Sequence, residues 1–201
     1  MIRRIGMTAS LGGGGSISSK PWQASVQPTE GTWVFAYGSL MWRPDFLPAE
    51  VRPARLAGWH RAMCILSTVY RGTPERPGLV LGLDRGGSCL GRALRVEPEH
   101  WPRIKALLDA RELITGVYLP RFLPVRLDDG RRVPAYAYVC DRSHGQYWSG
   151  SADEAVRLIR QGCGKSGPAR DYLASAVEHL CALGIAAGSL HRLLARVDSA
   201  S

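Results

Sequence analysis

The stretch that decides the fold is Val34-Phe35-Ala36-Tyr37-Gly38-Ser39-Leu40-Met41-Trp42. Its apolar, aromatic first half has strand character. The run then stops abruptly at Tyr-Gly-Ser. A strand that ends in a Gly-Ser turn leaves backbone N–H groups without ladder partners. Such groups can converge on a carboxylate or a developing oxyanion. The stretch therefore predicts a strand over 32–37 that delivers a small-anion cradle. The plainer reading is that Tyr37 and Ser39 only end a strand, as Gly-Ser turns often do.

Further strands are expected around it. Residues 61–68, 79–83 and 88–96 read as strands bounded by Gly or Pro, the last after a Gly86-Gly87 turn. Residues 132–140 alternate Val133, Ala135, Ala137 and Val139 on one face, the pattern of a half-buried strand. Helices dominate the C-terminal third. Ser151-Ala152-Asp153-Glu154 is a capping-box pattern that opens a helix over 155–161. Residues 168–183 carry Tyr172, Leu173, Val177 and Leu180 at helical spacing and stop at Gly184. A short helix over 189–197 follows.

One more helix is predicted over 98–114, with Ile104, Leu107, Leu108 and Leu113 on its apolar side. Ile104, Leu108 and Glu112 stand at i, i+4 and i+8, so Glu112 continues the core-facing stripe while Asp109 and Arg111 point elsewhere. Glu is seldom buried unless it is paired or functional. The competing reading puts Glu112 at a fraying helix end, reaching to water.

Bulk properties narrow the classes. The 201 residues suffice for one domain with a sizeable core, and no apolar run is long enough to span a bilayer. Lys plus Arg is 26 against 17 Asp plus Glu, a net charge of +9 that suits anionic ligands. The arginines are scattered from Arg43 to Arg196 without a dense block, so neither nucleic acid nor a membrane is expected as a partner. Five cysteines, an odd number with no CxxC, fit neither a disulfide framework nor metal spacing. Reduced thiols in a cytoplasmic compartment follow. Residues 1–30 contain Gly12-Gly13-Gly14-Gly15-Ser16 and read as a disordered N-terminal extension ahead of one domain over 31–201. The glycines also interrupt any signal-type apolar segment.

Other chemistries fall away. Gly164-Lys165-Ser166 resembles the end of a phosphate-binding loop, but Ile159 stands where that motif needs Gly, so a loop between helices is expected. The five histidines lack ligand spacing, and neither HExxH nor GxSxG occurs. Cys64 lies in an apolar strand and reads as core. What remains is the Tyr37–Leu40 turn and Glu112. Residues 71–78, taken alone, read as a surface loop.

Taken together in order, the motifs resemble those of the ChaC-like γ-glutamylcyclotransferases, from Trp33 to about Leu194. The likeness begins with the quoted stretch. It continues through Gly58-Trp59-His60-Arg61, Ser67, Arg71-Gly72-Thr73-Pro74-Glu75 with Pro77-Gly78, and Gly91. It ends with Arg111-Glu112 with Gly116 and Tyr118, Tyr147 with Gly150, and Gly167 before Asp171-Tyr172-Leu173. Ala36 departs from a frequent Gly, and the spacing from Glu112 to Gly116 is longer than in the REKGGY form.

The resemblance implies an α+β fold, a small closed or nearly closed mixed β-sheet with flanking helices. It implies cleavage of γ-glutamyl peptides, above all glutathione, to 5-oxoproline and Cys-Gly, without a metal or organic cofactor. Glu112 would be the base. Val34, Phe35, Ala36, Tyr37, Gly38, Ser39 and Leu40 would form the substrate-binding segment, with Arg71 and Tyr147 as contacts for the peptide part. Action on another γ-glutamyl amine or peptide, or a silent binding module of the same fold, are the alternatives. Oligomeric state is left open.

The reaction needs little apparatus, because the substrate's own α-amine attacks its γ-carbonyl and an aligned intramolecular attack reaches effective molarities of about 10⁵–10⁸ M. A free Glu, with a pKa of about 4.3, is a feeble base. Burial beside Leu108, Leu113 and Ile114 is expected to raise it towards neutrality. Ser39 is expected to hydrogen-bond rather than to attack, since no His partner is evident.

Overall fold

The computed structural model describes residues 31–186 and 188–199. The extension expected over 1–30 lies outside the described residues. The strand at the head of the fold is β1, Thr32–Ala36. It is paired on both edges, antiparallel to β3 (Gly78–Val96) from Thr32↔Val96 to Ala36↔Arg92, and parallel to β5 (Arg132–Cys140) at Trp33↔Ala135 and Val34↔Tyr136. Strand β2 (Glu50–Ser67) runs antiparallel to β3 over nearly its whole length. Strand β4 (Tyr118–Leu127) pairs with β5 and meets β2 between Ala54↔Leu127 and Leu56↔Val125. The order β1-β3-β2-β4-β5 closes into a barrel with one parallel seam, the closed mixed sheet that was expected.

Closure explains the burial. Trp33, Phe35 and Tyr37 point with Leu56, Leu83, Val125, Ala135, Ala137 and Val139 into a core made only of strand and strand-end residues, the barrel interior. Val34 and Ala36 point the other way, towards the helices. The expectation of a half-buried strand over 132–140 is corrected in the same way. Ala135, Ala137 and Val139 line the interior while Tyr136 and Tyr138 are buried against helices.

The three strands expected over 61–68, 79–83 and 88–96 are parts of two long ones. Gly86-Gly87 is not a turn. Both residues take positive φ inside β3, opposite Gly58 on β2, where the register slips between Ala57 and Trp59. A bulge bends one continuous hairpin there. Strand β4 escaped notice because it carries Pro120 and Pro124. Pro124 faces Pro134 across the ladder, so that pair needs no N–H, and among the described residues 118–124 have no second strand neighbour.

Helices α1 (Trp101–Glu112), α2 (Ala152–Gln161), α3 (Ala169–Ala182) and α4 (Gly188–Ser199) follow the expected spans to within a few residues. The capping box is present: Ser151 Oγ accepts the Glu154 N–H at 3.2 Å, and the Glu154 carboxylate accepts the Ser151 N–H at 2.9 Å. Leu108, Ile159, Leu173 and Leu180 are fully buried with Leu79 and Leu81 on the outer face of the barrel. Each such leucine or isoleucine contributes about 1.5–3 kcal/mol of burial. Leu107, expected on that face, is 45% exposed.

Gly164-Lys165-Ser166 forms the tip of a two-stranded hairpin, β6 (Cys163–Gly164) with β7 (Gly167–Pro168). The Lys165 and Ser166 N–H groups donate to the carbonyls of Val69 and Tyr70, each at 2.9 Å. These donors therefore tie one loop to another instead of cradling phosphate. A Cβ on Gly164 would stand 2.5 Å from the Val69 carbonyl oxygen. Cys64 is buried as expected, 3.3 Å from Cys140 sulfur to sulfur. Among the described residues no helix is long and apolar enough to cross a membrane.

Candidate active site

Beyond β1 the chain makes a short 3₁₀ turn, Ser39–Met41, whose first backbone bond runs from the Met41 N–H to the Gly38 carbonyl at 2.9 Å. The N–H groups of Ser39 and Leu40 precede that bond and have no acceptor within the turn. Tyr37, Gly38, Ser39 and Leu40 form one wall of a small chamber of about 50 Å³. Glu112 and the tyrosines 118, 138 and 172 form the rest, with Leu81. The chamber adjoins a cleft of about 900 Å³, and Ser39, Glu112, Tyr118 and Tyr172 line both.

Glu112 is the last residue of α1, and its side chain is 20% exposed. It does continue the buried stripe of Ile104 and Leu108. Burial raises its carboxyl above the ordinary range, Arg111 opposes that rise and Asp45 adds to it. The opposition comes from Arg111 Nε, 3.1 Å from Glu112 Oε1.

Arg111 does not point elsewhere, as the helical spacing suggested. Its guanidinium also donates to Ser39 Oγ at 2.6 Å, to the Arg43 carbonyl at 2.9 Å and to Asp45. One side chain therefore spans the acid and the Gly-Ser turn. The only signal available for it in the sequence was its place beside Glu112.

Tyr118, Tyr138 and Tyr172 are the other residues that sequence reasoning did not assign to a site. The Tyr118 hydroxyl donates to the Leu81 carbonyl at 2.6 Å, and the Leu81 N–H donates to the Tyr172 hydroxyl at 3.4 Å. Burial pushes Tyr37 and Tyr118 up and Tyr172 to about 12, so all three phenols stay protonated at neutral pH. Neutral walls of this kind keep Glu112 desolvated without adding charge.

Val34, Phe35 and Ala36 are buried in β1 with their side chains in the two cores, and they reach neither the chamber nor the cleft. Their part is to carry the turn. Arg71 lines the cleft, its guanidinium over the Tyr172 ring at 5.4 Å and bonded to the Pro168 carbonyl at 3.2 Å. The loop that presents it folds tightly on glycines. A Cβ on Gly72 would lie 2.3 Å from the Gly78 nitrogen, and one on Gly78 would lie 2.1 Å from the Arg71 carbonyl oxygen. Residues 71–78 are thus a tightly folded loop, of which Arg71 alone lines the cleft.

Tyr147 is placed differently from expectation. Its hydroxyl donates to Asp84 at 3.0 Å, its backbone bridges Ile65, and it is not among the residues lining the cleft. Trp42 and His179 stack at 4.4 Å, and both line the cleft. A second surface cleft of about 640 Å³, lined by Arg76, Arg157, Arg160 and Arg196, contains neither Glu112 nor the turn.

The chain is similar to several known proteins. A relative from Escherichia coli K12, a glutathione-specific γ-glutamylcyclotransferase, is 40% identical over 175 residues, covering 86% of this chain and 76% of that protein. Human glutathione-specific γ-glutamylcyclotransferase 1 is 31% identical over 83% of this chain and 77% of its own length. The crystal structure of a yeast γ-glutamyl cyclotransferase specific to glutathione superposes with a TM-score of 0.75 at 22% identity, covering 84% of this chain and 96% of that one, which shows a shared fold. The model of the ChaC-like proteins matches residues 32–200, nearly all of the described fold from β1 through α4, and the chain belongs to that family.

Proposed function

We propose that the protein is a glutathione-specific γ-glutamylcyclotransferase, with residues 31–201 as the catalytic domain and Glu112 as general base and acid. The observation that carries this reading is the pairing of a largely buried, sparsely bonded carboxylate with a Gly-Ser turn across one chamber, tied by Arg111. The kinship to glutathione-specific enzymes at 40% identity supports the substrate.

In this reading the γ-glutamyl arm folds back in the chamber until its α-amine faces its γ-carbonyl carbon. Glu112 takes a proton from the amine as the C–N bond of the lactam forms. The γ-carbonyl oxygen becomes negative and is met by the N–H groups at the start of the Ser39–Met41 turn, donors already in place before the charge appears. The tetrahedral centre then collapses, the bond to the cysteinyl nitrogen breaks, and Glu112 returns the proton to that nitrogen. 5-Oxoproline and Cys-Gly leave. Ser39 Oγ is occupied by Arg111 at 2.6 Å, which suits a positioning group and not a nucleophile. Arg71, on the cleft wall, is assigned to the carboxylate of the peptide part. The five unpaired cysteines support a reducing, cytoplasmic setting.

The test is release of 5-oxoproline from glutathione and from a γ-glutamylamine by the purified protein. Turnover of glutathione alone is expected. Equal turnover of both would cancel the specificity, and turnover of neither would cancel the activity.

A further inference from the structure

Asp109 lies one helical turn before Glu112 and is the better partnered of the two acids. Its Oδ1 accepts hydrogen bonds from the Tyr136 and Tyr138 hydroxyls, each at 2.8 Å, and its Oδ2 is 2.5 Å from Lys105 Nζ. Both tyrosines project from the helix-facing side of β5 and are 3% and 1% exposed. A single carboxylate thus fastens the C-terminal half of α1 to a central strand. The Asp109 carbonyl also accepts the Leu113 N–H at 2.9 Å, closing the helix just past Glu112.

Tyr138 belongs to a second structure as well, because it forms part of the chamber wall beside Glu112. Tyr138 is thus a phenol within electrostatic reach of the proposed base, and its hydroxyl is given to Asp109. A phenol bonded to Glu112 would hold that group in its carboxylate form and weaken it as a base. The charged and titratable groups around Glu112 are Arg111, Asp45, Tyr37, Tyr118, Tyr138 and Tyr172. Those around Asp109 are Lys105, Tyr136 and Tyr138.

We propose that Asp109 is a positioning residue for the reaction: it anchors the last turn of α1 on β5 and keeps the Tyr138 hydroxyl off Glu112. The proposal rests on Glu112 being the base. Burial pushes Tyr136 up to about 12 and Tyr138 further, with Asp109 adding to both, so the two phenols remain donors throughout the working range.

The experiment combines kinetics on glutathione with a ¹³C NMR titration of the Glu112 carboxyl, its signal assigned by disappearance in Glu112→Gln. In Asp109→Ala the Glu112 midpoint is expected to fall, and kcat to drop about 10–100-fold with KM little changed, as for a reacting group displaced by a fraction of an ångström. Asp109→Asn keeps an acceptor oxygen for the tyrosines and should recover part of both. Adding Tyr138→Phe to Asp109→Ala should move the midpoint back up. If Asp109→Ala is not folded, Tyr136→Phe/Tyr138→Phe strips the same two bonds at similar volume, and kcat should again fall. An unmoved Glu112 midpoint in folded Asp109→Ala, or kcat retained in the double tyrosine variant, makes Asp109 a structural clamp and overturns the proposal. If the wild type releases no 5-oxoproline, the role of Glu112 fails separately, while the titration still decides what Asp109 does to it.

Discussion

Asp84 and Glu112 are both carboxylates held largely out of water, and the fold treats them in opposite ways. Asp84 is 7% exposed on β3 and fully answered. Arg142 meets it through two nitrogens at 2.7 and 3.0 Å, Tyr147 through its hydroxyl at 3.0 Å, and Arg85 through its N–H at 2.8 Å. Burial alone would raise Asp84, but these donors outweigh it and hold the group below the ordinary range. Glu112 has Arg111 and neutral walls, and burial wins. An acid with all its donors is part of the frame. One left short of donors beside a cavity is free to exchange a proton, which is what a catalytic base must do.

The widest gap between the two regions should open in turnover. Glu112→Gln is expected to lower kcat on glutathione by about 10²–10⁴-fold, the usual worth of a general base. A folded Glu112→Gln enzyme with undiminished 5-oxoproline release would erase the contrast. Asp84→Asn should do the reverse, leaving kcat within a few-fold and costing about 1.5–3 kcal/mol in urea unfolding. The lower part of that range is expected because the Arg142 side chain is 49% exposed and solvent screens it. A large loss of kcat with unchanged stability would place Asp84 in the chemistry. Arg71→Ala is expected to raise KM for glutathione roughly tenfold with little change in kcat, the signature of a binding contact. Equal losses in kcat would move Arg71 into the reacting site.

The smallest effect is a crossing of stability with pH. The carboxyl of Glu112 is raised in the folded protein, so its stabilising contribution is full below the unfolded pKa and is lost as pH rises through the folded one. Glu112→Gln should therefore match the wild type in acid and melt slightly higher at neutral pH. Asp84 is depressed, so its contribution is present above its unfolded pKa and is lost as pH falls through the folded value. Asp84→Asn should differ from the wild type most at neutral pH and least in acid, where the two converge. Parallel melting curves for both variants across this range would contradict the opposed shifts.

These contrasts were unevenly visible in the sequence. Strand β1 and its turn stand out because an apolar run meets Gly38-Ser39 without transition. Glu112 stands out because it interrupts a stripe of Ile104 and Leu108. Both are local signals. Arg111 has no such signal, since its meaning lies in Ser39, 72 residues away. Tyr118 and Tyr172 entered only as parts of motifs, and Tyr138 not at all, until the fold brings the three to one chamber. Tyr147 misled for a related reason: its partner, Asp84, comes from the far end of a hairpin bend that looked like a turn. The interruptions at Gly58, Gly86 and Gly87 hid long strands, because a positive-φ glycine ends one strand and bends another without any difference in letters.

The parallel seam of the barrel has a consequence for the order in which the protein can become active. Strand β1 leaves the ribosome before any of its neighbours, yet its two edges are claimed by residues 92–96 and by Ala135 and Tyr136. Closing that seam spans most of the domain and must meet its loop entropy before any contact repays it. A nascent chain that has just exposed Glu112 already holds that carboxylate, the Gly-Ser turn and the Arg111 side chain between them, but β5, which closes the barrel and carries Tyr138 of the chamber wall, is still missing. The chamber beside Glu112 is therefore complete only after synthesis has passed β5 and reached Tyr172 on α3.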